Sequence, residues 1–94
     1  MITEIADLPV TPGREDAFAA AYAEGLPFLS AAPGFRAARL VRGVESPSRF
    51  VAIVEWESAD AHRAYTQSEG FARFGALIGD FFADTPMVEH FTES

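Results

Sequence analysis

The order of apolar runs, turn signals and helix caps along the 94 residues predicts an α+β fold. It is a ferredoxin-like β-α-β-β-α-β sandwich with an antiparallel four-stranded sheet. Three observations carry this expectation. Phe18, Tyr22, Leu26 and Leu29 draw one helical stripe between two extended segments. Residues 49–57, "RFVAIVEWE", form the strongest strand signal and are apolar at the start of both faces. A second helical stripe then runs from residue 58 to residue 82, before a short final strand. Short connections and right-handed crossovers reduce this order to the split-βαβ arrangement.

Each element has its own reason. Ile2, Ile5, Leu8 and Val10 mark a first strand, with imperfect alternation. In "TPGRED", Thr11 is expected to cap a helix and Pro12 to take its first position, where a missing N–H costs nothing. Pro27 is expected to bend or break this helix near its end. "APGF" at residues 32–35 is a Pro-Gly turn back into extended chain, and Phe35 to Val44 reads as the second strand. "VESPS" is a loop, and the third strand spans Arg49 to Glu57. Ser58 begins the second helix, with Asp60 suited to the positive end of its dipole. Gly70 is the expected interruption, after which Phe71, Phe74, Ile78, Phe81 and Phe82 continue at helical spacing. "DTP" stops the helix, and "MVEHFT" is the last strand.

Residues 1–94 therefore form one domain. A chain this short buries only about 60–65% of its unfolded surface, and without cysteine it has no disulfides to compensate. Hydrophobic residues at 49%, with nine Phe, supply a generous core. The helices of one chain cover one face of the sheet. The two-faced third strand thus predicts a homodimer through the other face.

Seven basic against fourteen acidic residues give a net charge of −7, which disfavours nucleic acid and anionic membranes as partners. The start of the chain lacks a basic segment followed by an apolar one, and no apolar run approaches the roughly 20 residues of a membrane span. A soluble cytoplasmic protein is expected. No metal-ligand cluster, Gly-rich phosphate loop or cofactor motif is present, so neither metal nor cofactor is expected.

A pocket between helices and sheet is the remaining place for chemistry, and it would take an apolar or aromatic small molecule. Trp56 is either a core aromatic ending the third strand or a pocket wall with a redox-active ring. His62 lies near the start of the second helix, where the dipole lowers its pKa and favours the neutral base. The alternative is a satisfied helix histidine. His90 points to the opposite layer from Phe91, either into the pocket or to a partner across the dimer. Tyr65, Phe71, Phe74 and Phe82 are candidate substrate contacts, although a set such as Phe71, Phe74, Phe81 and Phe82 is more often plain core than a ligand box.

"EWESADAHRAYTQSEGFARF" followed by "FFADTPMVEHF", with "VTPGREDAF" and "APGF" before it, resembles the antibiotic-biosynthesis-monooxygenase (ABM) family over nearly the whole chain. The resemblance implies homodimers whose two sheets form a dimeric α+β barrel. One branch of the family oxidises aromatic polyketide phenols to quinones with dioxygen, without metal or flavin, using an Asn, a Trp, a Tyr and an Arg. Trp56 matches the Trp, while Ala52 and His62 stand at the Asn and Tyr positions and the Arg has no clear counterpart near Gly75. A haem-degrading branch uses an Asn, a Trp and a ligating His. Ala6, Tyr65 and Gly75 stand there instead, which argues against haem.

The expected function is a cofactor-independent monooxygenase acting on a small phenolic, polyketide-like substrate, with His62 as base and Trp56 and Tyr65 stacked on the ring. The alternative is a non-catalytic small-molecule-binding or stress-related dimer of the same fold. A small-lactone isomerase or decarboxylase on the same barrel also stays open.

Overall fold

The computed structural model covers Met1–Ser94. Its elements are β1 (Ile2–Pro9), α1 (Glu15–Ser30), β2 (Phe35–Arg42), β3 (Arg49–Trp56), α2 (Ala59–Tyr65), α3 (Glu69–Ile78), a 3₁₀ turn (Gly79–Phe81) and β4 (Met87–Phe91). The sheet order is β2-β3-β1-β4, and every neighbouring pair is antiparallel. This is the expected ferredoxin-like sandwich, with all helices on one face. No helix is long and apolar enough to cross a membrane.

Period-two alternation decides which side chains meet the helices. β1 turns Glu4, Ala6 and Leu8 inward, and β3 turns Phe50, Ala52, Val54 and Trp56 inward; all are buried. The register sets Ala6 opposite Ala52 and Glu4 opposite His90. Phe18 of α1 is fully enclosed and gathers Phe50 at 4.9 Å, Phe82 at 5.8 Å and Phe81 at 6.1 Å between ring centroids. Burying one such ring is worth about 1.5–3 kcal/mol. The cluster ties α1 to the base of the sheet, and Phe82 also closes an isolated bridge with Val10.

Three local expectations are corrected. Thr11 does not cap α1. Its carbonyl instead accepts from the Arg14 N–H in a turn with Gly13 at φ +93°, and the helix starts at Glu15. Glu15 stabilises this end: one carboxylate oxygen accepts from the Gly13 N–H and the other from the Ser48 hydroxyl. Pro27 does not break α1, which continues to Ser30. Proline removes only one hydrogen bond of the ladder there, and Leu29 beyond it is held in the core. The break in the second helical stretch falls at residues 66–68, before Gly70. Ser68 restarts the helix by accepting from the Phe71 N–H, as Ser58 does for α2 from Ala61.

The opposite sheet face carries Ile5, Val51 and Ile53 across its centre, flanked by Val41 on β2 and Met87 and Phe91 on β4. Nothing in the chain covers it. Val41, Met87 and Phe91 are exposed, while an Asp7–Arg49 ion pair and a Thr3–Glu55 hydrogen bond lie among the apolar groups.

Gly25 lets the two helical layers meet, because a Cβ there would overlap the Phe74 ring of α3. Gly25→Ala is therefore expected to destabilise the fold by about 1–3 kcal/mol, the usual cost of overpacking. A thermal melt showing no loss would mean the helices can part without penalty.

Candidate functional site

Small side chains make the room for the site. Ala6 and Ala52 face each other on the central strands, so the sheet floor is low beneath the helices. Above it lies a cavity of about 210 Å³. Tyr22 and Leu29 of α1, Tyr65 of α2, and Phe71, Phe74 and Ile78 of α3 wall it. Its lining is apolar except for the two tyrosines, Glu4 and His62.

Glu4 was not singled out from the sequence, and it organises the polar end. It is 8% exposed, as is His62. Its Oε1 accepts the Trp56 Nε1–H at 2.9 Å and lies 3.3 Å from His62 Nε2. His62 Nδ1 lies 2.6 Å from His90 Nε2. One proton assignment suits these contacts: His62 carries its proton on Nε2, the nitrogen beside Glu4, and His90 donates to the vacant Nδ1. The Trp56 indole stacks on the His62 ring, with centroids 5.1 Å apart and planes 24° apart.

Burial pushes the His62 pKa below its ordinary value; the nearby Glu4 charge opposes this and His90 adds to it. The expectation of a neutral His62 had rested on the helix dipole. Desolvation is the larger cause, and α2 is only seven residues long. Tyr22 and Tyr65 are pushed up to about 12, by burial first and then by the Glu4 charge. Both hydroxyls are enclosed and unpaired. They remain protonated and supply no base.

The site candidates separate into three groups. His62, Tyr65, Phe71 and Phe74 line the cavity. Trp56 and His90 do not line it but hold the polar end from behind: Trp56 is fully enclosed, whereas His90 is exposed on the edge strand. His90 finds a partner within the chain, in His62. Phe82 is displaced from the site altogether and packs on Phe18, because the 3₁₀ turn after α3 carries it to the base of the sheet. The signal for Glu4 was present in the sequence. It is the one charged residue in the inward series Ile2, Glu4, Ala6, Leu8, Val10, and a charge in a core register needs a partner.

A neutral imidazole beside a buried carboxylate can accept a ligand proton at Nδ1 once His90, exposed on the edge strand, gives up its contact with that nitrogen. The resulting imidazolium is stabilised by the adjacent Glu4 charge in a poorly solvated site.

Comparison with known proteins gives a consistent set of relatives. A model of the antibiotic biosynthesis monooxygenase family matches residues 1–77, which include Glu4, Trp56 and His62 but not β4. A Bordetella bronchiseptica protein assigned as an antibiotic biosynthesis monooxygenase is 37% identical, with a TM-score of 0.95 over 99% of this chain and 96% of that one. A variant of SnoaB, a cofactor-independent oxygenase from Streptomyces nogalater, is 25% identical, with a TM-score of 0.84 over 98% and 91% of the two chains. The uncharacterised protein YczJ of Bacillus subtilis (strain 168) is 29% identical over 94 residues, 99% of each chain.

The contacts predict how His62 titrates. Its lowered pKa means folding favours the neutral ring. The stabilisation from this preference is complete above the unfolded value of 6.5 and is lost as pH falls through the lowered native value. By NMR titration, Glu4→Gln is expected to lower the His62 pKa further and His90→Gln to raise it. Shifts of the opposite sign would refute the assigned geometry.

Proposed function

The chain belongs to the antibiotic biosynthesis monooxygenase family, and from that premise we propose that it is a cofactor-independent monooxygenase that oxidises a small phenolic substrate with dioxygen. The observation that carries this reading is the buried Glu4–His62 pair at the polar end of an apolar cavity. The similarity to SnoaB supports the reaction type.

In this scheme the phenol enters with its hydroxyl toward Glu4 and His62. His90 releases His62 Nδ1, which takes the proton, and the pair becomes an imidazolium beside a carboxylate. The phenolate gives one electron to dioxygen, and the resulting radicals join at a ring carbon as a peroxide. Loss of water from that peroxide leaves a quinone. One oxygen atom enters the product and the other leaves as water, so no external reductant is needed. Tyr65, Phe71 and Phe74 hold the ring, while Trp56 and His90 position the acid–base pair. Placement and proton removal are the protein's contributions.

A homodimer through the uncovered sheet face belongs to the same proposal. Ile5, Val51, Ile53 and Phe91 form an apolar surface that a second copy would bury.

One observation favours a second reading, a non-catalytic small-molecule-binding dimer. The Trp56 ring is fully enclosed, and Ala52 on the cavity floor offers no polar group to a substrate.

Oxygen uptake measured with phenols, hydroquinones and anthrones separates the readings. Turnover is expected, with a loss of about 10²–10⁴-fold in His62→Ala, the usual contribution of a general base. The rate should rise with pH through the lowered His62 pKa, since the neutral ring is the active form. Uptake unchanged in His62→Ala would remove His62 from the mechanism. Binding without uptake on any substrate would leave the second reading. For the assembly, sedimentation is expected to show a dimer that Ile53→Asp converts to folded monomers; a wild-type monomer would refute that part.

A further inference from the structure

The cavity restricts its ligand in size, charge and hydrogen-bonding chemistry, more narrowly than the oxygenase reading on which this inference rests. A cavity of roughly 150 Å³ lined by aliphatic and aromatic groups takes one benzene ring. Pro rata, about 210 Å³ holds about eight non-hydrogen atoms, and somewhat more at the close packing of protein interiors. That is one substituted ring or two fused rings. A third fused ring would project past the exposed Phe71 and Val88 at the mouth and gain no burial, and Phe74 is fixed against Gly25, so that wall does not retreat without moving α1.

Charge narrows the class further. The chain has seven cationic side chains, all arginine, and none lines the cavity. Its one charged group is the buried Glu4 carboxylate. An anionic ligand would meet the Glu4 charge with no cation to offset it.

Hydrogen bonding decides between a hydroxyl and an ammonium. Glu4 Oε1 already faces two N–H groups, and the His62 Nδ1 is taken by His90. Glu4 Oε2 has no bond within the chain and is the one charged acceptor left at the polar end, beside the unpaired Tyr22 and Tyr65 hydroxyls. A phenol has a single donor to place. An ammonium has three and also brings a full charge out of water, a desolvation cost that pairing with one carboxylate oxygen does not repay.

We propose that the ligand of this cavity is a neutral one- or two-ring phenol, docked with its hydroxyl on Glu4, and not a three- or four-ring polyketide, an aromatic acid or an amine.

Titration calorimetry on the wild-type protein tests this with 1-naphthol, 1-naphthoate, 1-naphthylmethylamine and 1,8-dihydroxyanthrone. Naphthol is expected to bind at least tenfold more tightly than each of the other three. Ala52→Val, which raises the cavity floor, should weaken naphthol binding at least tenfold while the far-UV circular dichroism stays native. Should that variant unfold, Ala6→Val is the same test from the neighbouring strand. Equal or tighter binding of the anthrone, the acid or the amine, or failure to bind naphthol, would overturn the proposal. So would naphthol binding that ignores a folded floor variant. Selective naphthol binding without oxygen uptake would sink the oxygenase reading and leave this one standing. Uptake with the anthrone alone would do the reverse.

Discussion

A carboxylate with almost no water around it is the constraint on which the helix–sheet interface depends. Glu4 projects from a central strand into the layer where its neighbours are Ala6, Leu8, Val54 and Trp56. A charge in that position is tolerated only if donors reach it. Trp56 supplies one from the adjacent strand, and the His62 ring from the helix that follows sets its Nε2 3.3 Å from the same oxygen. The demand explains why the largest side chain of the protein sits at the end of β3 and why a histidine faces inward one turn later. His90 completes the chain of contacts from the edge strand, and so the buried charge is connected to the surface through two rings.

The same geometry creates the space beside that charge. Close-packed interiors leave few voids, so a cavity of about 210 Å³ in a chain of 94 residues needs a cause. The cause is a division of labour along α1 and the sheet. At the Phe18 end, four phenylalanines fill the interface. At the Glu4 end, two alanines oppose each other on the floor, while Tyr22, Tyr65 and Phe74 form the walls without filling the gap. Two tyrosine hydroxyls are left without partners there, a cost that a structure selected only for stability would avoid.

Helices and sheet bury only one of the two faces that the central strands present. The outer face keeps Ile5, Val51 and Ile53 together with exposed Met87 and Phe91. Asp7 pairs with Arg49 and Glu55 with Thr3 on that face, while Arg39 and Glu89 flank the apolar centre from the two outer strands. The proposed dimer is the simplest way for a small, cysteine-free domain to gain the burial it lacks alone.

How much was legible in the sequence follows from how local each signal is. Period-two and period-3.6 patterns report which side faces inward. Hence the strands, the Ser58 cap and the antiparallel βαββαβ sandwich could be read from the chain. Caps read less well where they compete with tertiary contacts: the Thr11 assignment failed because Glu15 is drawn to Ser48, and Pro27 was tolerated because Leu29 is anchored in the core. His62 was visible as a polar residue on an inward helix face. Glu4 was equally visible in its register, but its meaning was not, since its partners lie 52 and 58 residues away. Periodicity alone determined the layers, the fold class and which side chains of an element share a face. Only the tertiary structure decided that Glu4, Trp56, His62 and His90 form one cluster and that Phe82 stands outside it. Hydrogen-bond partners are chosen by distance across strands and layers, and no local pattern encodes that distance.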